Sequence, residues 1–148
     1  MVRIMKKALV AYASLSGNTE EVAEIIADEL TAAGIEVSES YVGIMGEIVP
    51  PYLGGYDALF IGTYTWNFGE VPDEVTEFVK TLGDASMPVH VFATGETQFG
   101  DDVYCVAGDV LASYFRSESD VLKIEQSPRG VQEAAVREWV NEITKGRR

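Results

Sequence analysis

The sequence predicts an α/β fold: a five-stranded parallel sheet, doubly wound, with helices on both faces and a single domain over residues 1–148. Three observations predict it. Short apolar runs alternate along the chain with stretches of helical periodicity. Three of those runs are apolar on almost every residue, the pattern of strands buried on both faces. Finally, 148 residues with 47% apolar and 24% charged side chains can bury one core but are too few for two domains. Right-handed crossovers then place helices on either side of the sheet.

Lys7–Tyr12 (KALVAY) reads as the first strand. Val22, Ile26, Leu30 and Ala33 form the stripe of a helix starting at Asn18, with Asn18 and Glu21 placed as N-cap and N3. Gly34 closes that helix. Ile35, Val37 and Tyr41 share one face of a more exposed second strand, whose alternation Glu39 breaks. A stretch rich in Gly and Pro runs to Gly55, and Asp57–Gly62 (DALFIG) is the third strand. Pro72 opens a helix carrying Val75, Phe78, Val79 and Leu82, in its first turn where a missing N–H is harmless. Pro88–Ala93 (PVHVFA) is the fourth strand, Tyr104–Phe115 a helix, and Val121–Glu125 the fifth strand. Ser127 and Pro128 cap a last helix with Val131, Ala135, Trp139 and Ile143 on one face.

Charge narrows the function. The net charge is −13. Between Ala8 and Phe115 there are 18 Asp and Glu against one base, Lys80, a balance of −17. That field repels nucleic acid and anionic membranes and steers a basic protein partner. No apolar run approaches the ~18 residues of a membrane span, and the N-terminus carries no cleavable leader pattern. Cys105 and His90 are each the only residue of their kind, which leaves no multi-cysteine or histidine-rich metal site and no disulfide. The expected protein is soluble and cytoplasmic.

Ligands of such sheets bind beyond the carboxyl ends of the strands, which directs attention to three loops. Ala13–Glu20 (ASLSGNTE) leads from the first strand into a helix. Its hydroxyls and first-turn N–H groups converge as a phosphate requires. It lacks Gly-Lys-Ser/Thr, which disfavours a nucleotide triphosphatase, and it lacks GxGxxG. Gly62–Pro72 (GTYTWNFGEVP) places Tyr64, Trp66 and Phe68 within five residues at a strand end, aromatics that do not read as core. Thr94–Cys105 (TGETQFGDDVYC) again sets aromatics among small polar residues. Two aromatic loops around a phosphate loop would sandwich a flat ring bearing a phosphate tail.

On these residues the chain resembles the short-chain flavodoxins over essentially its whole length. The resemblance implies the strand order 2-1-3-4-5 and bound FMN. It implies that Ser14, Ser16, Asn18 and Thr19, with Leu15 and Gly17 in the same turn, hold the phosphate. Thr63, Tyr64, Thr65, Trp66 and Asn67, followed by Phe68 and Gly69, match the second loop, where Trp66 covers the inner ring face. The Asn67 carbonyl is expected to rotate and accept the flavin N5–H after one-electron reduction. In the third loop, Thr94, Gly95 and Glu96 lead to Phe99, which stands where the family stacks a tyrosine, and then to Tyr104-Cys105. Asn67–Pro72 and Gln98–Asp101 also resemble the flavodoxin-like activators of manganese-dependent ribonucleotide reductase.

The charges act on such a flavin. FMN brings a phosphate of roughly −2, and Glu70, Glu96, Asp101 and Asp102 surround the expected ring with no cation in the loops. Each unit charge at ~10 Å raises the energy of an anionic reduced ring by ~0.4 to ~1.7 kcal/mol before screening. Several together lower the second electron step by something on the order of 100 mV. The expectation is a low-potential one-electron carrier, not an enzyme, a monomer passing electrons from a flavodoxin reductase to acceptor proteins with basic faces. The ribonucleotide reductase activator is the alternative. An FMN-dependent reductase of a small molecule needs an uncovered ring face, and a cofactor-free binding module leaves the three loops unexplained. Cys105, His90, Trp139 and Tyr12 read as structural, and Lys145–Arg148 as a frayed basic end.

Overall fold

The structure, a computed structural model, describes residues 5–14, 17–42, 55–65, 70–82, 87–96 and 104–145. Its elements are β1 (Lys7–Tyr12), α1 (Asn18–Ala32), β2 (Glu36–Tyr41), β3 (Ala58–Tyr64) and α2 (Asp73–Leu82). There follow β4 (Val89–Gly95), α3 (Val106–Phe115), β5 (Leu122–Glu125) and α4 (Val131–Thr144). The five strands form one sheet in the order β2-β1-β3-β4-β5, and every pairing is parallel. The predicted fold class and order are therefore those of the molecule.

Strand alternation splits the core into two layers. Ala8, Val10, Tyr12, Phe60, Phe92 and Ile124 point to one face, where α1 and α4 cover them with Val22, Ile26, Leu30, Val136 and Val140. Leu9, Ala11, Leu59, Ile61 and Val91 point to the other face, under Val75 and Phe78 of α2 and Leu111 of α3. Each large apolar side chain removed from water in these layers stabilises the fold by about 1.5–3 kcal/mol. Arg137 of α4 adds an ion pair to Glu29 of α1 at 2.8 Å, beside the Asn141 to Glu29 hydrogen bond.

The helix ends differ from expectation in instructive ways. Gly17, at φ +94°, is the N-cap of α1, so Asn18 is the first helical residue rather than the cap. The Ser14 hydroxyl supplies the side-chain acceptor instead, taking the N–H of Gly17 at 3.0 Å and of Glu20 at 3.4 Å. Gly34 closes α1 as expected: at φ +86° it lets its own N–H reach Thr31 O, while the N–H of Ile35 reaches Leu30 O. Pro72 lies one residue ahead of α2, and its carbonyl accepts the N–H of Thr76. α4 begins at Val131 rather than at Ser127-Pro128: Gly130 just before it has a non-helical backbone (φ 57°, ψ −121°), and the Gln132 side chain turns back to bond both backbone groups of Glu125. Residues 43–54, most of the Gly- and Pro-rich stretch, lie outside the described residues.

The order of the strands decides where a ligand can sit. The chain leaves β1 for β2 on one side, then crosses back to β3 on the other, so β1 and β3 flank the reversal point of the sheet. The N–H of Ala13 bonds Gly62 O at 3.1 Å and the N–H of Val42 bonds Tyr12 O at 2.7 Å, holding the strand ends together there.

Candidate functional site

Three of the loops that leave this carboxyl edge follow β1, β3 and β4, and the described parts of each can be placed. In the first, Ser14 and Gly17 form the turn into α1. Because the Ser14 oxygen accepts both of its backbone bonds, its hydroxyl proton is not used by either. The N–H groups of Asn18 and Thr19 belong to the first helical turn, where no helical acceptor exists. The Thr19 hydroxyl is buried and lies 2.8 Å from that of Thr94, the penultimate residue of β4. Leu15 and Ser16 lie outside the described residues.

In the second loop, Thr63 is fully buried and its hydroxyl donates to the carbonyl of Tyr64 at 2.8 Å. Tyr64 departs from expectation: its ring packs in part against the core beneath α2. Its hydroxyl makes a short hydrogen bond to the Glu74 carboxylate in the first turn of that helix. Burial and that acceptor push the Tyr64 phenol well above its ordinary range. Thr65 carries the most telling atom: its Oγ1 is buried and has no hydrogen-bond partner among the described residues. Buried hydroxyls are nearly always paired, so such an atom at a strand end points to a missing partner. Trp66, Asn67, Phe68 and Gly69 lie outside the described residues.

In the third loop, Gly95 ends β4 and its carbonyl accepts the N–H of Gln126 at 2.8 Å. A Cβ on Gly95 would stand 3.2 Å from the backbone nitrogen and 3.3 Å from Sγ of Cys105, so glycine lets the returning chain close against the strand. Glu96 is half-buried, Tyr104 half-buried and Cys105 fully buried. Cys105 takes a left-handed backbone, φ 54°, as the N-cap of α3. Burial pushes its thiol up to about 11, with Lys123 opposing and Asp109 adding only a minor part. Burial likewise pushes the Tyr104 phenol up to about 12. Phe99, Asp101 and Asp102 lie outside the described residues.

The structure therefore brings Ser14, Gly17, Asn18, Thr19, Thr63, Thr65, Thr94 and Gly95 to one edge, through the ends of β1, β3 and β4. It also adds participants that the pattern did not single out. Glu74 anchors Tyr64. Tyr41, at the end of β2, stacks edge-on against Tyr12 with centroids 5.7 Å apart and sends its hydroxyl to Ser14 O at 3.4 Å. The signal for Tyr41 was its place as last residue of the strand beside β1, legible only once the strand order is fixed.

The electrostatics are acidic with one exception. Lys123 of β5 is near enough to Cys105 to lower its thiol, but it is paired with Asp109 at 2.9 Å. An open cleft of about 560 Å³ lies elsewhere, at the amino end of β5, lined by Ser119, Asp120, Glu138, Trp139 and Glu142. Its carboxylates would repel a phosphate, so the cleft is not a site for an anionic cofactor. Beside it, His90 is buried against Phe60 and bonded to Ser119 at 2.7 Å, a packing role. Among the described residues, no helix is long and apolar enough to cross a membrane.

The set fits FMN on its own chemistry. Neutral hydroxyl and amide donors at a helix N-terminus suit a phosphomonoester, and the Thr65 hydroxyl, without a partner among the described residues, is a further polar group free to meet a ligand.

Comparison with known proteins gives the same direction. Residues 10–139 match the protein family described as flavodoxin. The chain is 31% identical over 137 residues to "Probable flavodoxin 2" of Bacillus subtilis (strain 168), covering 87% of this chain and 88% of that one. It superposes on the crystal structure of oxidised flavodoxin 2 from Bacillus cereus with a TM-score of 0.81 at 30% identity, covering 94% and 98% of the two chains. It is also 30% identical over 129 residues to "Protein NrdI" of Deinococcus radiodurans, covering 87% and 79%.

Proposed function

The chain belongs to the flavodoxin family of FMN-dependent electron-transfer proteins, and from that premise we propose that its three carboxyl-edge loops hold FMN as a low-potential one-electron carrier. In this reading Ser14, Leu15, Ser16, Gly17, Asn18 and Thr19 take the phosphate. Thr63 to Gly69 take the inner side of the ring, with Trp66 against its face; Thr94, at the end of β4, opens the third loop, whose Gly95, Glu96, Phe99, Tyr104 and Cys105 take the outer side. The observation that carries it is the buried Thr65 hydroxyl just past the end of β3, without a partner among the described residues and beside the reversal point of the sheet.

Bound FMN supplies the ring that accepts and releases electrons. The chain supplies donors for its phosphate, aromatics that exclude water, and an acidic surround that disfavours added negative charge. No protein nucleophile is needed. Redox proteins are its partners, and the net charge of −13 favours those with basic docking faces. We read residues 1–148 as one domain, working as a monomer in the cytoplasm, which the near-complete coverage of the B. cereus flavodoxin supports for the domain.

The likeness to Protein NrdI favours a second reading, the flavodoxin-like activator of manganese-dependent ribonucleotide reductase. An anaerobic reductive titration of the FMN-loaded protein separates the two. A large accumulation of the one-electron-reduced form, with the second step far below that of free flavin, supports the carrier. Two steps close together support the activator. Failure of the purified protein to take up FMN would overturn both.

A further inference from the structure

Thr19 and Thr94 are 75 residues apart, yet their hydroxyl oxygens lie 2.8 Å from each other, the two residues being 1% and 3% exposed. The contact joins the first turn of α1 to the end of β4, so it links the loop that takes the phosphate to the strand that opens the third loop. Two hydroxyls carry two protons, and one hydrogen bond uses only one of them. Whichever threonine accepts keeps its own proton for a third group.

We propose that Thr94 is a positioning residue for the phosphate end of the cofactor, acting through Thr19; the inference rests on the FMN reading above. Phosphate oxygens only accept hydrogen bonds, which fixes the direction of the pair. Thr94 donates to the Thr19 oxygen, and the Thr19 proton is thereby left to donate to phosphate. The opposite direction would present Thr19 lone pairs to an anion. A bond accepted by Thr19 also polarises its O–H and strengthens its donation in a low-dielectric site. Thr94 therefore acts on the phosphate without touching it, and its removal should be felt by FMN and not by riboflavin, which has the same ring without the phosphate.

The test is the affinity of the apoprotein for FMN and for riboflavin in wild type, Thr94→Val, Thr94→Ser, Thr19→Val and the double variant Thr19→Val/Thr94→Val. Valine keeps the shape of threonine and removes the hydroxyl; serine keeps the hydroxyl. The expected result is an FMN affinity about tenfold weaker in Thr94→Val, riboflavin affinity within about twofold, and recovery of FMN binding in Thr94→Ser. The double variant should be no weaker than Thr19→Val alone, because the two act as a unit. As a second readout, the concentration of inorganic phosphate that half-saturates the thermal shift of the apoprotein should rise by a similar factor in Thr94→Val. Equal losses of FMN and riboflavin, additive effects of the two valines, or unchanged FMN affinity in Thr94→Val would each overturn the inference while leaving the FMN site standing. Wild type that binds riboflavin as tightly as FMN would instead remove the phosphate subsite itself.

Discussion

The ring of Phe92 fills the space that a side chain on Gly62 would need: a Cβ built there falls 2.1–2.7 Å from three of the ring carbons, far inside van der Waals contact. The two residues are register partners on β3 and β4, and Phe92 is wholly buried beneath α4. Gly62 is thus required by packing at the base of the second loop. Gly62→Ala should destabilise the protein by roughly 1–3 kcal/mol, the range for overpacking a filled core. Urea unfolding of the variant measures it, and Gly62→Ala/Phe92→Leu should recover part of the loss. A variant as stable as wild type would show that the ring can move aside.

His90 predicts a stability that depends on pH. Burial lowers its pKa from 6.5 to about 4. Below pH 6.5 the unfolded chain binds a proton that the folded chain refuses, so this residue makes stability fall as pH drops from 6.5 to about 4. It contributes no pH dependence above that window. The full effect is roughly 3 kcal/mol. Denaturation at several pH values should show a shallower slope across this window in His90→Gln than in wild type. Parallel slopes would mean that the imidazole titrates normally in the folded state.

Glu39 has the opposite sign. Partial burial and the carboxylates of Glu24, Asp28 and Glu20 raise its pKa in the folded state. The folded chain therefore takes a proton more readily than the unfolded one, and the strain exists above the folded pKa and fades as pH falls through it. Since much of the side chain meets solvent, the relief from Glu39→Gln should be small, roughly 0.5 kcal/mol at pH 7 and low salt. Thermal melts should show the gain vanish in high salt, where surface repulsion is screened.

Cys105 should be inert while the protein is folded. It is fully buried and its thiol is pushed up to about 11, so little thiolate exists near neutrality and none of it is accessible. Iodoacetamide at pH 8 should label the native protein far more slowly than the urea-unfolded chain. Comparable rates would mean that the start of α3 opens readily.

Much of this molecule is written in local pattern. KALVAY and DALFIG can hardly be anything but buried strands, and the observed β1 matches its expected bounds. Gly34 ends α1 because a left-handed residue was needed there. Caps were read less well, since Ser14 and Gln132 reach the helix and strand ends they complete from outside those elements, which periodicity does not register. The residue types of the three loops single them out as candidate ligand loops in sequence, and the structure brings the described ends of all three to one edge of the sheet.

By itself, then, the sequence determined the layers, the parallel sheet and the chemistry of the loops, because periodicity, turn residues and donor types are local properties of the chain. The tertiary structure decided which side chains are already committed. Tyr64 is held by Glu74, and Thr19 by Thr94. Thr65 alone is left buried and unpartnered among the described residues. Those outcomes depend on which strand ends the order 2-1-3-4-5 brings side by side, a long-range consequence of crossovers that no local stretch of sequence encodes.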